Sequence, residues 1–164
     1  EPFAVLLADD LIWSDSKPVL AKMVDDYHNN SADGIIAVQT VRPSETDQYG
    51  VVEIAGLEHQ IKRIVEKPNK EDAPSNLGVV GRYILPPDIF EKLESTNRGA
   101  GGEIQLTDAI SALLQDHKFY AHLFDGIRYD CGSKFGYLKA NIDYALRDAG
   151  LSQRMKEYIN NIKL

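Results

Sequence analysis

Two short segments, Val65-Glu66-Lys67-Pro68 and Tyr129-Asp130-Cys131-Gly132-Ser133, each close an apolar, strand-like run with residues able to hold a phosphorylated ligand. A third, Leu6-Leu7-Ala8-Asp9-Asp10, ends the first apolar run on two carboxylates. A carboxylate at a strand end can take one position around an octahedral Mg²⁺ whose other ligands are waters and phosphate oxygens. That role is open to Asp9 and to Asp130. Glu66 can accept hydrogen bonds from two sugar hydroxyls. Lys67, expected on the opposite face of an extended strand, can meet a phosphate, and Pro68 biases it towards that extended form. Each motif also has a plainer reading. Asp9-Asp10 can be a solvated turn, Glu66-Lys67 an exposed ion pair ahead of a turn, and Asp130-Cys131-Gly132 a simple strand-to-helix turn capped by Ser133. Open α/β sheets collect ligands beyond the carboxyl ends of their strands, and all three segments belong there.

Other residues narrow the chemistry. Gly50, after Tyr49, and Gly78, after Asn76-Leu77, are glycines usable where backbone must lie against a ring, although such glycines also simply make turns. Gly99-Ala100-Gly101-Gly102 lacks the Gly-Lys-Ser/Thr ending of a phosphate-cradling loop and reads as a flexible loop. The four histidines stand apart without zinc-ligand spacing. Cys131 is the single cysteine, with no evident histidine partner that would make it a nucleophile. It allows no intrachain disulfide, which suits a reducing cytosol and a cytoplasmic location.

The elements that must position these residues follow from the rest of the 164-residue chain. A hydrophobic fraction of 43% and a charged fraction of 26% are those of a globular domain. No apolar run approaches the roughly 18 residues of a membrane span. The net charge of −7 argues against a nucleic-acid-binding role, which calls for basic patches. Strands are expected over 3–7, covered on both faces, and over 34–41, 49–54, 61–65, 78–85, 119–124 and 127–129. Helices are expected over about 16–28, 88–94, 103–115, 135–147 and 151–162. The class is α/β, with a mixed, mostly parallel sheet flanked by helices, and the strands between Tyr49 and Val65 form a hairpin.

Taken in order, Leu-Leu-Ala-Asp-Asp, Gln-Tyr-Gly-Val-Val, Ile-Val-Glu-Lys-Pro, Ser-Asn-Leu-Gly-Val-Val-Gly-Arg-Tyr-Ile-Leu, Gly-Gly-Glu-Ile-Gln-Leu-Thr-Asp-Ala-Ile and Tyr-Asp-Cys-Gly-Ser-Lys-Phe-Gly-Tyr resemble the bacterial UTP–glucose-1-phosphate uridylyltransferases across essentially the whole chain. The resemblance implies a Rossmann-like nucleotidyltransferase fold, incomplete at its N-terminus. Residues 1–164 would form its sugar-binding, C-terminal portion, closed by helices at about 134–164. It implies the reaction of UTP with glucose 1-phosphate to give UDP-glucose and pyrophosphate, with Mg²⁺ as cofactor and a homodimer or homotetramer as the assembly. By the same resemblance Asp9 and Asp130 are metal ligands, with Asp10 behind them, and Asp9 and Lys67 are the catalytic pair. Gly50, Glu66, Lys67, Asn76 and Gly78 contact substrate, and the helix opening at Glu103-Ile104-Gln105 borders the sugar.

Two departures stand out. Ala8 replaces the proline usual before the aspartate pair, and the family's Gly-rich loop with Thr-Arg and Lys has no counterpart in these residues. The chain alone is therefore expected to be inactive or nearly so, and the strand at 3–7 to have an edge that invites self-association. Two rivals stay open: a thymidylyl- or guanylyltransferase of another sugar 1-phosphate, and a non-catalytic module that binds sugar phosphates.

Overall fold

In the computed structural model, residues 1–162 are described, so the last two residues of the expected closing segment 134–164 lie outside them. The chain packs as two compact units, one formed by Glu1–Leu7 and Ser14–Asp125, the other by Ala8–Trp13 and Gly126–Leu164. Among the described residues, no helix is long and apolar enough to cross a membrane.

Among the described residues the first unit holds six strands, β1 (Phe3–Leu6), β3 (Gly34–Thr40), β4 (Gly50–Ala55), β5 (Gln60–Glu66), β6 (Leu77–Leu85) and β7 (Phe119–Leu123); β2 (Asp10–Trp13) belongs to the second unit. They pair in the order β1-β6-β3-β7-β5-β4, and β4 also pairs with β6. The continuous apolar run of β3 is explained by its place: flanked by β6 and β7, it is buried from Gly34 to Val38. At one end of β3, Gly34 lies opposite Phe119. A Cβ there would stand 2.3 Å from the Phe119 ring, so the glycine is what admits the aromatic side chain. Helix α1 (Val19–Asn29) buries Val19 and Met23. Helix α3 (Leu106–Leu113) sets Ala109, Ile110 and Leu113 into a core shared with Ile36, Val38, Val52, Ile64 and Leu85, and α2 (Ile89–Ser95) adds Ile89.

The α/β class and mixed sheet stand, but the sheet is not mostly parallel. Among the described residues only β3 and β7 pair in parallel, while β1–β6, β3–β6, β4–β5, β4–β6 and β5–β7 are all antiparallel. Parallel neighbours need a crossover of a dozen or more residues. The four-residue link between β4 and β5 can only make a hairpin, and it turns on Gly56 and His59, both with positive φ. β6, for its part, inserts antiparallel between β1 and β3. β1 also departs from expectation. It forms the sheet edge, with Phe3 and Val5 half-buried and Ala4 and Leu6 exposed, so it is not covered on both faces.

The second unit pairs β2 (Asp10–Trp13) with β8 (Ile127–Asp130), antiparallel, in the register Asp10↔Asp130 to Trp13↔Ile127. Strand β2 escapes sequence reading because four residues are too few to show a period. Helices α4 (Lys134–Arg147) and α5 (Ser152–Asn161) follow. Trp13 meets Tyr144 edge-on at 5.2 Å, and the Arg147 guanidinium lies 5.2 Å over the Trp13 ring. Buried Tyr129 donates its hydroxyl to Asp143 (2.9 Å) and accepts from Arg147 (3.0 Å).

Burial, and then the Asp143 carboxylate, push the Tyr129 phenol up from its ordinary value, with Arg147 opposing. The neutral phenol is thus favoured in the folded chain. Its contribution is complete below about pH 10, where the unfolded tyrosine titrates, and is lost as the pH rises through the higher folded value. Urea midpoints taken from pH 8 to 11 should therefore fall more steeply for the parent chain than for Tyr129→Phe; parallel falls would exclude this linkage.

Candidate functional site

The chemistry-bearing residues gather in two clusters, one in each unit. In the second unit, Asp10 turns inward and pairs with Arg128. The neighbouring Asp9 lies in the turn just before β2 and is exposed. The Cys131 N–H donates to the Asp9 carbonyl at 2.7 Å, fixing the β1–β2 connection against the end of β8. The Gly132 N–H donates to Asp130 Oδ1 at 3.1 Å. A Cβ on Gly132 would stand 3.1 Å from both Asp130 Oδ1 and Asp9 Oδ2. Two exposed carboxylates therefore face one small space that a side chain would fill.

That arrangement fits Mg²⁺, which is held through one or two carboxylates with phosphate and water completing the shell. It does not fit a closed protein cage: among the described residues, no group of three or more His, Cys, Asp or Glu is placed to hold a metal. Ser133 caps α4 as expected, accepting from the Gly136 N–H at 3.0 Å and donating to the Asp130 carbonyl at 3.0 Å.

In the first unit, Gly50 pairs with Glu66 across the β4–β5 ladder. A Cβ on Gly50 would meet Glu66 Oε2 at 3.1 Å and Thr107 Oγ1 at 3.2 Å. Glu66 is largely shielded while Lys67 is half exposed, and the lysine Nζ lies 3.8 Å from Glu66 Oε1. Lys67 is not extended. Its φ is +42°, and its N–H donates to the Tyr49 carbonyl at 3.0 Å. The ladder ends at Glu66, and this last bond swings the chain out of the strand, overriding the bias from Pro68. The lysine therefore shares the glutamate's neighbourhood instead of taking the opposite face. A left-handed conformation at a non-glycine residue costs about 1–3 kcal/mol and persists only where the surroundings enforce it.

The remaining expected residues lie on β6 and just before it. Gly78 pairs with Val51 and is packed closed, since a Cβ would meet Val41 at 2.8 Å and Tyr49 at 3.2 Å. The Asn76 carbonyl accepts from the Val41 N–H at 2.9 Å, and its side chain is exposed. Helix α3 begins at Leu106, later than expected, with Gln105 extended before it. The Glu103 carbonyl is taken by the Gly99 N–H at 2.9 Å, which holds that residue in the loop. Sequence reasoning missed Thr107, which is buried beside Gly50 and Glu66. The available signal was a hydroxyl residue three positions before Ile110 on the apolar stripe of α3.

The chain belongs to the nucleotidyl transferase family, whose model matches residues 1–147. Within that class, it is 44% identical over 167 aligned residues to the UTP–glucose-1-phosphate uridylyltransferase of Staphylococcus epidermidis, an alignment covering all of this chain and 57% of that protein. It is similar to a UDP-glucose pyrophosphorylase solved in complex with UDP-glucose, with a TM-score of 0.83 and 47% identity over 90% of this chain and 57% of that one. It is also similar to the UTP-bound UGPase from Acinetobacter baumannii, with a TM-score of 0.86 and 41% identity over 99% and 57%. The chain thus spans a little over half the length of these relatives.

Gly136 offers a test of how the carboxylate cluster is held. A Cβ there would stand 1.9 Å from the Asp130 carbonyl oxygen, a backbone atom that cannot step aside. Gly136→Ala should destabilise the chain by about 2–4 kcal/mol in urea unfolding, against about 0.5 kcal/mol or less for Lys156→Ala, an exposed position of α5. Equal costs would show that Asp130 is not anchored by this contact.

Proposed function

We propose that this chain is part of a UTP–glucose-1-phosphate uridylyltransferase, whose reaction converts UTP and glucose 1-phosphate to UDP-glucose and pyrophosphate. One observation supports this above others: Glu66 and a backbone-strained Lys67 stand together beside Gly50, and the family resemblance assigns this pair to the sugar and its phosphate. A phosphate oxygen of glucose 1-phosphate bonds to the α-phosphorus of UTP in line with the departing pyrophosphate oxygen, whose bond breaks. There is little covalent work for the protein, so its part is positioning and charge stabilisation.

Glu66 accepts from the sugar hydroxyls, Gly50 offers backbone that a side chain would obstruct, and Lys67 brings its ammonium to the sugar-linked phosphate. Asn76 and Gly78 complete the same wall, Gly78 through packing on Tyr49 and Val41. Asp9 and Asp130 would hold Mg²⁺, which when bound offsets negative charge on phosphate oxygens. Asp10 supports Asp9 from behind by its pairing with Arg128. A homodimer or homotetramer, a cytoplasmic location, and little or no turnover by these 164 residues alone belong to the same reading.

Calorimetric titration of UDP-glucose into the chain, with and without Mg²⁺, tests it. Saturable binding is expected, weakened at least tenfold (about 1.4 kcal/mol) by the double substitution Glu66→Ala, Lys67→Ala. Asp9→Asn with Asp130→Asn should abolish any gain from Mg²⁺. A folded chain that fails to bind, or a double variant that binds as the parent does, overturns the site assignment. Tighter binding of a thymidine- or guanosine-diphosphate sugar would transfer the reading to the corresponding rival.

A further inference from the structure

Three non-glycine residues among those described have positive φ: Ser31, His59 and Lys67. Two of them sit where a fold routinely asks for it. Ser31 follows the last turn of α1, and His59 lies in the β4–β5 hairpin turn. Lys67 does neither. It stands directly after β5, and Pro68 biases the residue before it towards extended backbone. Strain of this kind persists only where the surroundings over-determine it, so something must hold Lys67 in its turn.

The bond from the Lys67 N–H to the Tyr49 carbonyl, at 3.0 Å, is that hold, and Tyr49 is itself fixed from two sides. Its N–H donates to the Thr46 carbonyl at 3.3 Å. This closes the 3₁₀ turn Pro43–Gln48, where buried Thr46 donates its hydroxyl to the Pro43 carbonyl at 3.1 Å. The Tyr49 side chain lies against the bare backbone of Gly78, where a Cβ would stand 3.2 Å from Tyr49 Cγ and 3.4 Å from Tyr49 Cβ. Gly78 is in turn locked by its pairings with Gln39 on β3 and Val51 on β4. Gly78, Val51 and Thr46 are all buried, so this support lies inside the fold and not on an outer face.

The hold has a direction. Gly50 and Glu66 are the last pair of the β4–β5 ladder, so Tyr49 and Lys67 occupy the next level, where the strands part. Pinned there by its N–H, Lys67 turns out of the strand and sets its Nζ 3.8 Å from Glu66 Oε1. Released to extended backbone, the same side chain would pass to the face opposite Glu66. Ammonium and carboxylate would then no longer meet one ligand.

We infer that Tyr49 is a positioning residue for Lys67: its side chain, seated on Gly78, steadies the carbonyl that fixes the Lys67 turn and so puts the ammonium beside Glu66. Tyr49 acts through Lys67 and not on the ligand. The inference rests on the reading of Glu66 and Lys67 given above, and it names what keeps that pair together.

Nuclear magnetic resonance of the chain decides whether the hold is real, with no ligand needed. Positive φ brings a residue's own N–H close to its Hα, so Lys67 should show a strong intraresidue Overhauser contact and a slowly exchanging amide. In Tyr49→Ala, checked for folding by circular dichroism, that contact should weaken and exchange at Lys67 should accelerate about tenfold or more. The Ala121 amide, bonded to the His59 carbonyl at 2.9 Å, should keep its rate. Gly78→Ala, which presses on the base of the same ring, should displace Lys67 likewise and serves where Tyr49→Ala does not fold. Calorimetry with UDP-glucose then tests the use of the hold. Tyr49→Ala should weaken binding about fivefold (about 1 kcal/mol) in the parent, and less than about twofold where Lys67 is already alanine. A Lys67 backbone unchanged in both variants overturns the inference and leaves the Glu66–Lys67 reading standing, as does a full loss of affinity that persists without the lysine. A folded parent that does not bind UDP-glucose overturns that reading, and the positioning role with it, even where Lys67 has moved.

Discussion

The paired charges of Asp10 and Arg128 fix most of what the second unit can do. Burying a carboxylate costs several kcal/mol unless a counter-charge meets it with good geometry, and Arg128 on the facing strand does so. The pairing sets which residues of β2 stand opposite which of β8. A slip of one residue would strand Asp10 without its partner and carry every neighbouring side chain to the other face. With that register held, Asp9 and Asp130 emerge beside Gly132. The carboxylate pair is thus a consequence of a structural ion pair one residue away.

In the first unit the corresponding control is steric. Gly50, Gly78 and Gly34 all stand where a Cβ would crowd a specific neighbour, but to different ends. Gly34 makes room for Phe119 in the core, Gly78 lets β6 close on Tyr49 and Val41, and Gly50 keeps space between Glu66 and Thr107. The sheet and α3 bring these positions into contact, since Gly50 and Glu66 are ladder partners and Thr107 rides on a helix whose apolar stripe is buried.

Much of this was legible in the sequence, and the gaps have physical causes. The buried β3, the β4–β5 hairpin and the Ser133 cap all rest on local chemistry, and each stands in the structure. Strand direction did not follow, because an apolar run looks the same whichever way its neighbour points. Four-residue β2 and the edge placement of β1 depend on partners far away in sequence. At the candidate site, Glu66 and Lys67 were singled out by type and position, but the backbone of Lys67 was not foreseen: a bond from its N–H to Tyr49, eighteen residues upstream, outweighed the local effect of Pro68. Thr107 went unread because a hydroxyl on an apolar helix face is usually only a tolerated passenger.

The turn at Lys67 also bears on how the chain tolerates change. Glycine would relax that backbone at no steric cost, and asparagine would sit there more easily than lysine. A library randomised at position 67 and sorted for thermal resistance should therefore drift towards glycine and asparagine, while one sorted for capture of a phosphorylated ligand should return to lysine. Disagreement between two such selections at a single codon is the mark of a residue kept for its side chain against the preference of its own main chain.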